Sequence, residues 1–140
     1  MTRPKSGAVL FARNLPQMAR FYEALLSMQV IERQHGHIVL ESDDVQLVVH
    51  SMPAGAARSA QAASAASSAS DAPSSGPRRR IDVPVKLFFA VDSLAATREA
   101  AVALGGALSP ASREWEARGF RACDGHDPEG NIVQFRESAE

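Results

Sequence analysis

The 140-residue chain is 45% apolar and 22% charged, an ordinary globular balance that suffices for one core or two half-size modules. Its formal net charge of −1 exerts no global pull on nucleic acid or anionic membrane, and no apolar run approaches the roughly 18 residues of a spanning helix. The single cysteine, Cys123, excludes an intramolecular disulfide and suits a reducing compartment; with no apolar signal region behind Met1–Ser6, a cytoplasmic protein is expected.

In chain order, Gly7–Ala12 reads as a strand. Asn14 is placed to cap a helix with Pro16 in its first turn, where a missing N–H costs least. Leu15, Met18, Ala19, Tyr22, Leu25 and Leu26 follow the three-four spacing of one buried helix face. Strands follow over Met28–Arg33, His37–Glu41 and Val45–His50, separated by the turns His35-Gly36 and Ser42-Asp43-Asp44. Residues 54–77 then hold ten Ala, seven Ser, two Gly and two Pro, with no Val, Ile, Leu, Phe, Tyr or Trp. Such a stretch buries too little apolar surface to offset its chain entropy, so a mobile linker running to Arg80 is expected, with Arg78–Arg80 as its solvated end.

After the linker the pattern repeats. Val85–Val91 reads as a strand and Asp92 as the cap of a helix with Leu94, Ala101 and Leu104 inward, stopped by Gly105-Gly106. Ala107–Ser109, Gly119–Cys123 and Ile132–Arg136 complete three strands, the last entered through the turn Asp127-Pro-Glu-Gly-Asn131. Each half is thus β-α-β-β-β, and the domain plan is a first module at 1–53, a linker at 54–80 and a second module at 81–140. Strand alternation sends Leu47, Val49, Leu87, Phe89, Val133 and Phe135 toward the helices. Gly7, Val9, Phe11, Gln46, Val48, His50, Lys86, Phe88, Ala90, Ile132, Gln134 and Arg136 then look the other way. That second face mixes apolar walls with a few polar heads, a composition suited to a ligand cavity.

The doubled unit, the Asn14…Phe21-Tyr22…Leu26 pattern and the ending Asp127-Pro-Glu-Gly-Asn-Ile-Val-Gln-Phe-Arg-Glu137 resemble the vicinal oxygen chelate superfamily. That superfamily includes glyoxalase I, bleomycin-resistance proteins, extradiol dioxygenases and fosfomycin-resistance enzymes. The resemblance implies an α+β fold in which two β-α-β-β-β modules form a cupped mixed sheet with helices on the outer face. It also implies a homodimer and, in many members, a metal held by His, Gln or Glu on the first and last strands of each module. Carried over by spacing, those positions fall on Gly7, Gln46, Lys86 and Gln134. The set departs from the pattern, because Gly7 has no side chain, Lys86 is a cation and the two glutamines are neutral. A metal is therefore not expected, nor another cofactor, although a His37–Glu41–His50 grouping is conceivable.

Three functions are in play. The first is a metal-free small-molecule binding protein, with Gln46, Lys86 and Gln134 as polar contacts, His50 beside them, and Phe11, Phe88 and Trp115 as walls. On this reading the three polar residues converge on one cavity, within a chain or across a dimer, and Lys86 favours an anionic ligand. The second is a glyoxalase- or dioxygenase-like lyase or isomerase using Lys86, with Glu41 as proton acceptor, or an unrecognised metal site. The third is a non-catalytic partner-binding subunit. Cys123 reads as a small buried strand residue, and neither nucleic acid nor a membrane is an expected partner.

Overall fold

The computed structural model describes residues 3–53 and 77–139. The expectation of a mobile linker at 54–77 falls outside these residues except at Pro77. The first half contains β1 (Ser6–Ala12), α1 (Leu15–Leu25), β2 (Gln29–Arg33), β3 (His37–Glu41) and β4 (Val45–Ser51). The second contains β5 (Leu87–Ala90), α2 (Leu94–Ala103), β6 (Ala107–Leu108), a 3₁₀ turn at Ala111–Arg113, β7 (Trp115–Ala117), β8 (Phe120–His126) and β9 (Ile132–Ser138). The result is a mixed α+β architecture of two small mixed sheets and two helices.

Both sheets use one plan. The first has the order β1-β4-β3-β2, with β1 parallel to β4 and the other pairs antiparallel. The second has the order β5-β9-β8-β6, with β5 parallel to β9. The helix between the first and second strands makes the crossover that a parallel pair requires. Beyond the expected repeat, the second module adds β7, which pairs with β8 and carries Trp115. In the first sheet, Ile31 forms a bulge between Val30 and Glu32.

The helix ends are set by local chemistry. Asn14 Oδ1 accepts the Gln17 amide at 3.2 Å, as its position predicts. In the second module the cap is Ser93, not Asp92: its hydroxyl accepts the Ala96 amide at 3.1 Å. Ser93 is extended, at φ −150° and ψ 121°, and its short side chain reaches back to the first turn. Gly105, at φ 94°, then ends α2 in a conformation that a residue with a Cβ resists.

The two modules share one apolar core. Met18, Phe21, Tyr22, Ile38, Leu40, Leu47 and Val49 from the first half join Leu94, Ala101, Cys123, Val133 and Phe135 from the second. The Tyr22 ring lies 6.0 Å from that of Phe89, edge to face. A Cβ on Gly106 would approach the Phe21 ring to 2.5 Å, so only glycine lets α1 and the second module come this close. The core therefore lies on the helix-covered faces of both sheets, and the opposite faces stay open.

The Asp127–Asn131 turn binds the halves together. The Asp127 side chain is fully buried, and its carboxylate accepts the amides of Glu129 and Asn131, the Asn131 side chain, and the Tyr22 hydroxyl at 2.7 Å. The buried Glu129 carboxylate accepts the Arg13 and Asn14 amides, both at 2.8 Å, just before α1. A turn in the second module thus seats the first helix.

Burial, reinforced by the Asp127 charge, holds the Tyr22 hydroxyl well above the ordinary phenol range. Burial also raises Asp127, against the hydrogen bonds that favour its charged form. Both groups hold their proton more tightly folded than unfolded, so each contributes stability that is lost as pH rises through its folded value. For Tyr22 that loss starts above pH ~10, where an unfolded tyrosine ionises. Tyr22 is the only tyrosine, so tyrosinate absorbance reads it alone. The expected result is no tyrosinate signal until the protein unfolds in alkali, and Tyr22→Phe should cost about 1–3 kcal/mol in urea denaturation.

Candidate functional site

The helix-free faces carry the residues with chemical potential. On the first sheet, Gly7, Gln46, Glu41 and Gln29 form one row across the strands. Phe11, His50 and His37 form another. Phe11 meets the His50 ring edge-on at 5.8 Å, and His50 stacks on His37 at 6.1 Å. On the second sheet Phe88, Gln134 and Asp124 form one row, and Ala90, Arg136, Ala122 and Trp115 the next. Large apolar groups remain open here: Val9, Phe11, Phe88 and Trp115 are all exposed.

Each face bears the same three-residue group. In the first module Lys5 lies 2.8 Å from the Glu41 carboxylate, and Gln46 donates to that carboxylate at 2.9 Å. In the second, Lys86 donates to both oxygens of Asp124, at 3.1 and 2.9 Å, and Gln134 reaches Asp124 at 3.5 Å. The register makes the two groups equivalent. Glu41 is opposite Gln46 as Asp124 is opposite Gln134, and each lysine precedes by two residues the first-strand position paired with the glutamine.

The expected polar contacts therefore divide between two sheets. Lys86 and Gln134 meet through Asp124, while Gln46 sits on the other sheet with Glu41 and Lys5. Of the expected walls, Phe88 lies 3.6 Å beneath the Arg136 guanidinium, which also covers Phe120 at 4.3 Å. His50 and Phe11 are neighbours, and Trp115 stands opposite Ala122. The His37–Glu41–His50 grouping does not form: His37 binds Glu32, and Glu41 is engaged by Lys5 and Gln46. Cys123 is fully buried in the core.

Lys5, Glu41 and Asp124 as a repeated set escape a reading by spacing, and the reason is a loop length. From Gly7 to the cap Asn14 is seven residues, but from Phe88 to the cap Ser93 is five. Counting back from the caps places Lys86 at the position of Gly7. The hydrogen-bond register instead places Phe88 there and matches Lys86 with Lys5. A search for Lys two residues before each first-strand position would have found both.

These residues do not fit a divalent metal. A Cβ on Gly7 would run into the Gln46 carbonyl, so no ligating side chain can stand there. The equivalent position in the second module is Phe88, and a lysine ammonium lies against each carboxylate. Among the described residues no group of three His, Cys, Asp or Glu could hold a metal ion. Glu41 is held below the ordinary carboxylate range chiefly by its hydrogen bond from Lys5, then by that from Gln46, which makes it a poor proton acceptor near neutrality. Among the described residues, no helix is long and apolar enough to cross a membrane.

At the end of the Ala/Ser-rich stretch Arg78 and Arg79 are exposed, but the backbone at Arg80 is tied down. The Arg80 amide donates to the Gly130 carbonyl at 2.8 Å, and Arg80 bridges Asn131 in parallel fashion. Lys86 lines an open cavity beside this segment, the one expected site residue to do so.

Residues 8–135 match the family model of a glyoxalase-like domain. Among solved structures, the fold is similar to a glyoxalase/bleomycin resistance protein/dioxygenase family enzyme from Burkholderia phytofirmans PsJN. The two share 19% identity with a TM-score of 0.64, over 95% of this chain and 97% of that one. It is also similar to the fosfomycin resistance protein FosX from Mesorhizobium loti, at 13% identity and a TM-score of 0.61, over 99% and 95% of the respective chains. A glyoxalase-related enzyme from Fulvimarina pelagi shares 18% identity with a TM-score of 0.61, over 98% and 89%. No curated protein matches the chain by sequence.

Two substitutions separate structure from site. Gly7→Ala should destabilise by about 1–3 kcal/mol, because its methyl group forces β1 away from β4. Lys86→Met should change stability by no more than about 1 kcal/mol, since its ion pair with Asp124 is solvent-exposed. Chemical denaturation of both variants checks the contrast.

Proposed function

The chain belongs to the glyoxalase-like family of the vicinal oxygen chelate superfamily, and we propose that it is a metal-free small-molecule binding protein acting as a homodimer. The observation that carries this reading is the Lys–carboxylate–Gln group repeated at equivalent register positions on two open, partly apolar faces. Each group offers an ammonium and a neutral amide, which can donate and accept; Phe11 and His50 lie farther along the same face in one module, and Trp115 and the Arg136-covered Phe88 stand in the other. Polar heads on an apolar ground orient a small ligand without a metal.

The homodimer rests on the sheet edges. Among the described residues β1 pairs only with β4 and β5 only with β9, so each sheet ends on a free edge beside exposed Val9, Phe11 or Phe88. Such edges are templates for pairing with another chain. Joining β1 of one copy to β5 of its partner would set a Lys5 group beside a Lys86 group. That joins Gln46 to Lys86 and Gln134 across an interface. A cytoplasmic setting belongs to the same reading. The enzymatic alternative is weaker because both carboxylates near the lysines are already engaged and Glu41 is a poor base.

Sedimentation should show a dimer, and Phe11→Lys should raise its dissociation constant at least tenfold. Elemental analysis should find no stoichiometric Zn, Ni, Fe or Mn, and EDTA should leave the melting temperature unchanged. A thermal-shift screen of small molecules should yield a stabilising ligand whose effect persists in EDTA and falls in Gln46→Leu and Gln134→Leu. A metal near one per chain, or a chelator-sensitive melting point, would overturn the metal-free reading.

A further inference from the structure

The second module holds a concavity to which the sheet-face groups contribute only Lys86 and Asp124. Its volume is about 580 Å³, within the range of sites for small organic ligands. Arg79 and Arg80 enter it from the segment before β5, Lys86 follows at the strand's start, and Arg113 reaches it from the 3₁₀ turn after β6. His126 lines it from the end of β8. The one carboxylate in the wall, Asp124, is already bound by Lys86 and reached by Gln134.

The guanidinium groups of Arg79, Arg80 and Arg113 have no ion-pair partner among the described residues. Three cations without an ion-pair partner among the described residues repel one another around one concavity, and an anion between them relieves that repulsion. Guanidinium forks match carboxylate and phosphate oxygens in pairs, which makes arginine suited to such anions. His126 Nδ1 is turned to the Asp127 carbonyl at 2.9 Å, which as acceptor requires the proton on Nδ1 and leaves Nε2 as the ring's remaining polar atom.

Apart from Ser109, the rest of the wall is apolar. Ile81 and Val85 are 79% and 66% exposed at the lip, unusual for side chains with no apolar cover, and Leu108 and Ile132 lie deeper in the lining. The segment carrying Arg79 and Arg80 is not a loose arm. Its backbone is pinned to Gly130 and Asn131 of the turn that also seats α1. Arg80 is thereby placed by the turn that also seats α1, with Arg79 next to it in the chain.

We propose that this cavity binds a small organic anion, with a carboxylate or phosphate group on the arginines and an apolar body against Ile81, Val85 and Ile132. The site lies within one chain and uses neither Gln46 nor a second copy. It shares Lys86 and Asp124 with the binding role above but rests on the arginines, so it can fail independently of that role.

The test is titration calorimetry of the full-length protein at about 50 mM and 200 mM salt. The probes are phenyl phosphate, benzoate, inorganic phosphate and phenol. At least one aromatic anion should bind tenfold or more tightly than both phenol and inorganic phosphate, and should weaken as salt rises. The tighter of phenyl phosphate and benzoate then names the headgroup. Arg80→Gln with Arg113→Gln should weaken that probe at least tenfold while leaving the dimer and the melting temperature unchanged. Arg79→Gln alone provides a milder variant for the same readout. The proposal is overturned if no aromatic anion binds, if phenol or inorganic phosphate binds as well, or if the arginine variants keep full affinity. Loss of the Gln46- and Gln134-dependent ligand without loss of this probe would defeat the dimer-face reading and leave the cavity standing.

Discussion

A buried carboxylate with no ion-pair partner among the described residues organises this fold. Asp127 is fully enclosed, and four donors converge on it: two backbone amides, the Asn131 side chain and the Tyr22 hydroxyl. Taking a carboxylate out of water is costly, and only complete hydrogen bonding makes it tolerable. Three of the donors come from its own turn, which fixes the entry to β9. The fourth comes from α1 of the other module, so a local turn motif becomes a long-range clamp. Glu129 adds the second jaw by accepting the two amides before α1.

With the helices held in one core, both helix-free faces are left to function. Internal repetition then has a consequence for chemistry. Pairing register, not linear spacing, decides which residues are equivalent, and it yields two Lys–carboxylate–Gln groups where a spacing argument finds one lysine and a glycine. The ammonium of each group lies against its own carboxylate, so the face is polar without being strongly charged. The strongly cationic surface lies instead in the second module's cavity. The same turn that clamps α1 also pins the arginine segment, so architecture and cavity share one anchor.

The amino-acid sequence by itself determined the elements and their faces. Asn14, Pro16 and the three-four apolar spacing suffice for α1, because caps and helical periodicity are local properties. Alternation suffices to send Leu47, Val49, Val133 and Phe135 inward and to leave Gln46, Phe88 and Arg136 outside, since a strand has only two faces. The doubled strand–helix–strands order and the Asp127–Asn131 turn carried the family as well. Tertiary structure decided everything that depends on a partner strand. It brought Asp124 between Lys86 and Gln134, paired Lys5 with Glu41, and made a strand of Trp115–Ala117. It also folded Arg79 and Arg80 against a cavity that no local pattern announces. The physical reason is that side-chain direction along one strand follows from a period of two, whereas contacts between strands follow from register. Register is set by loop lengths and by cross-module packing that no single window of sequence contains.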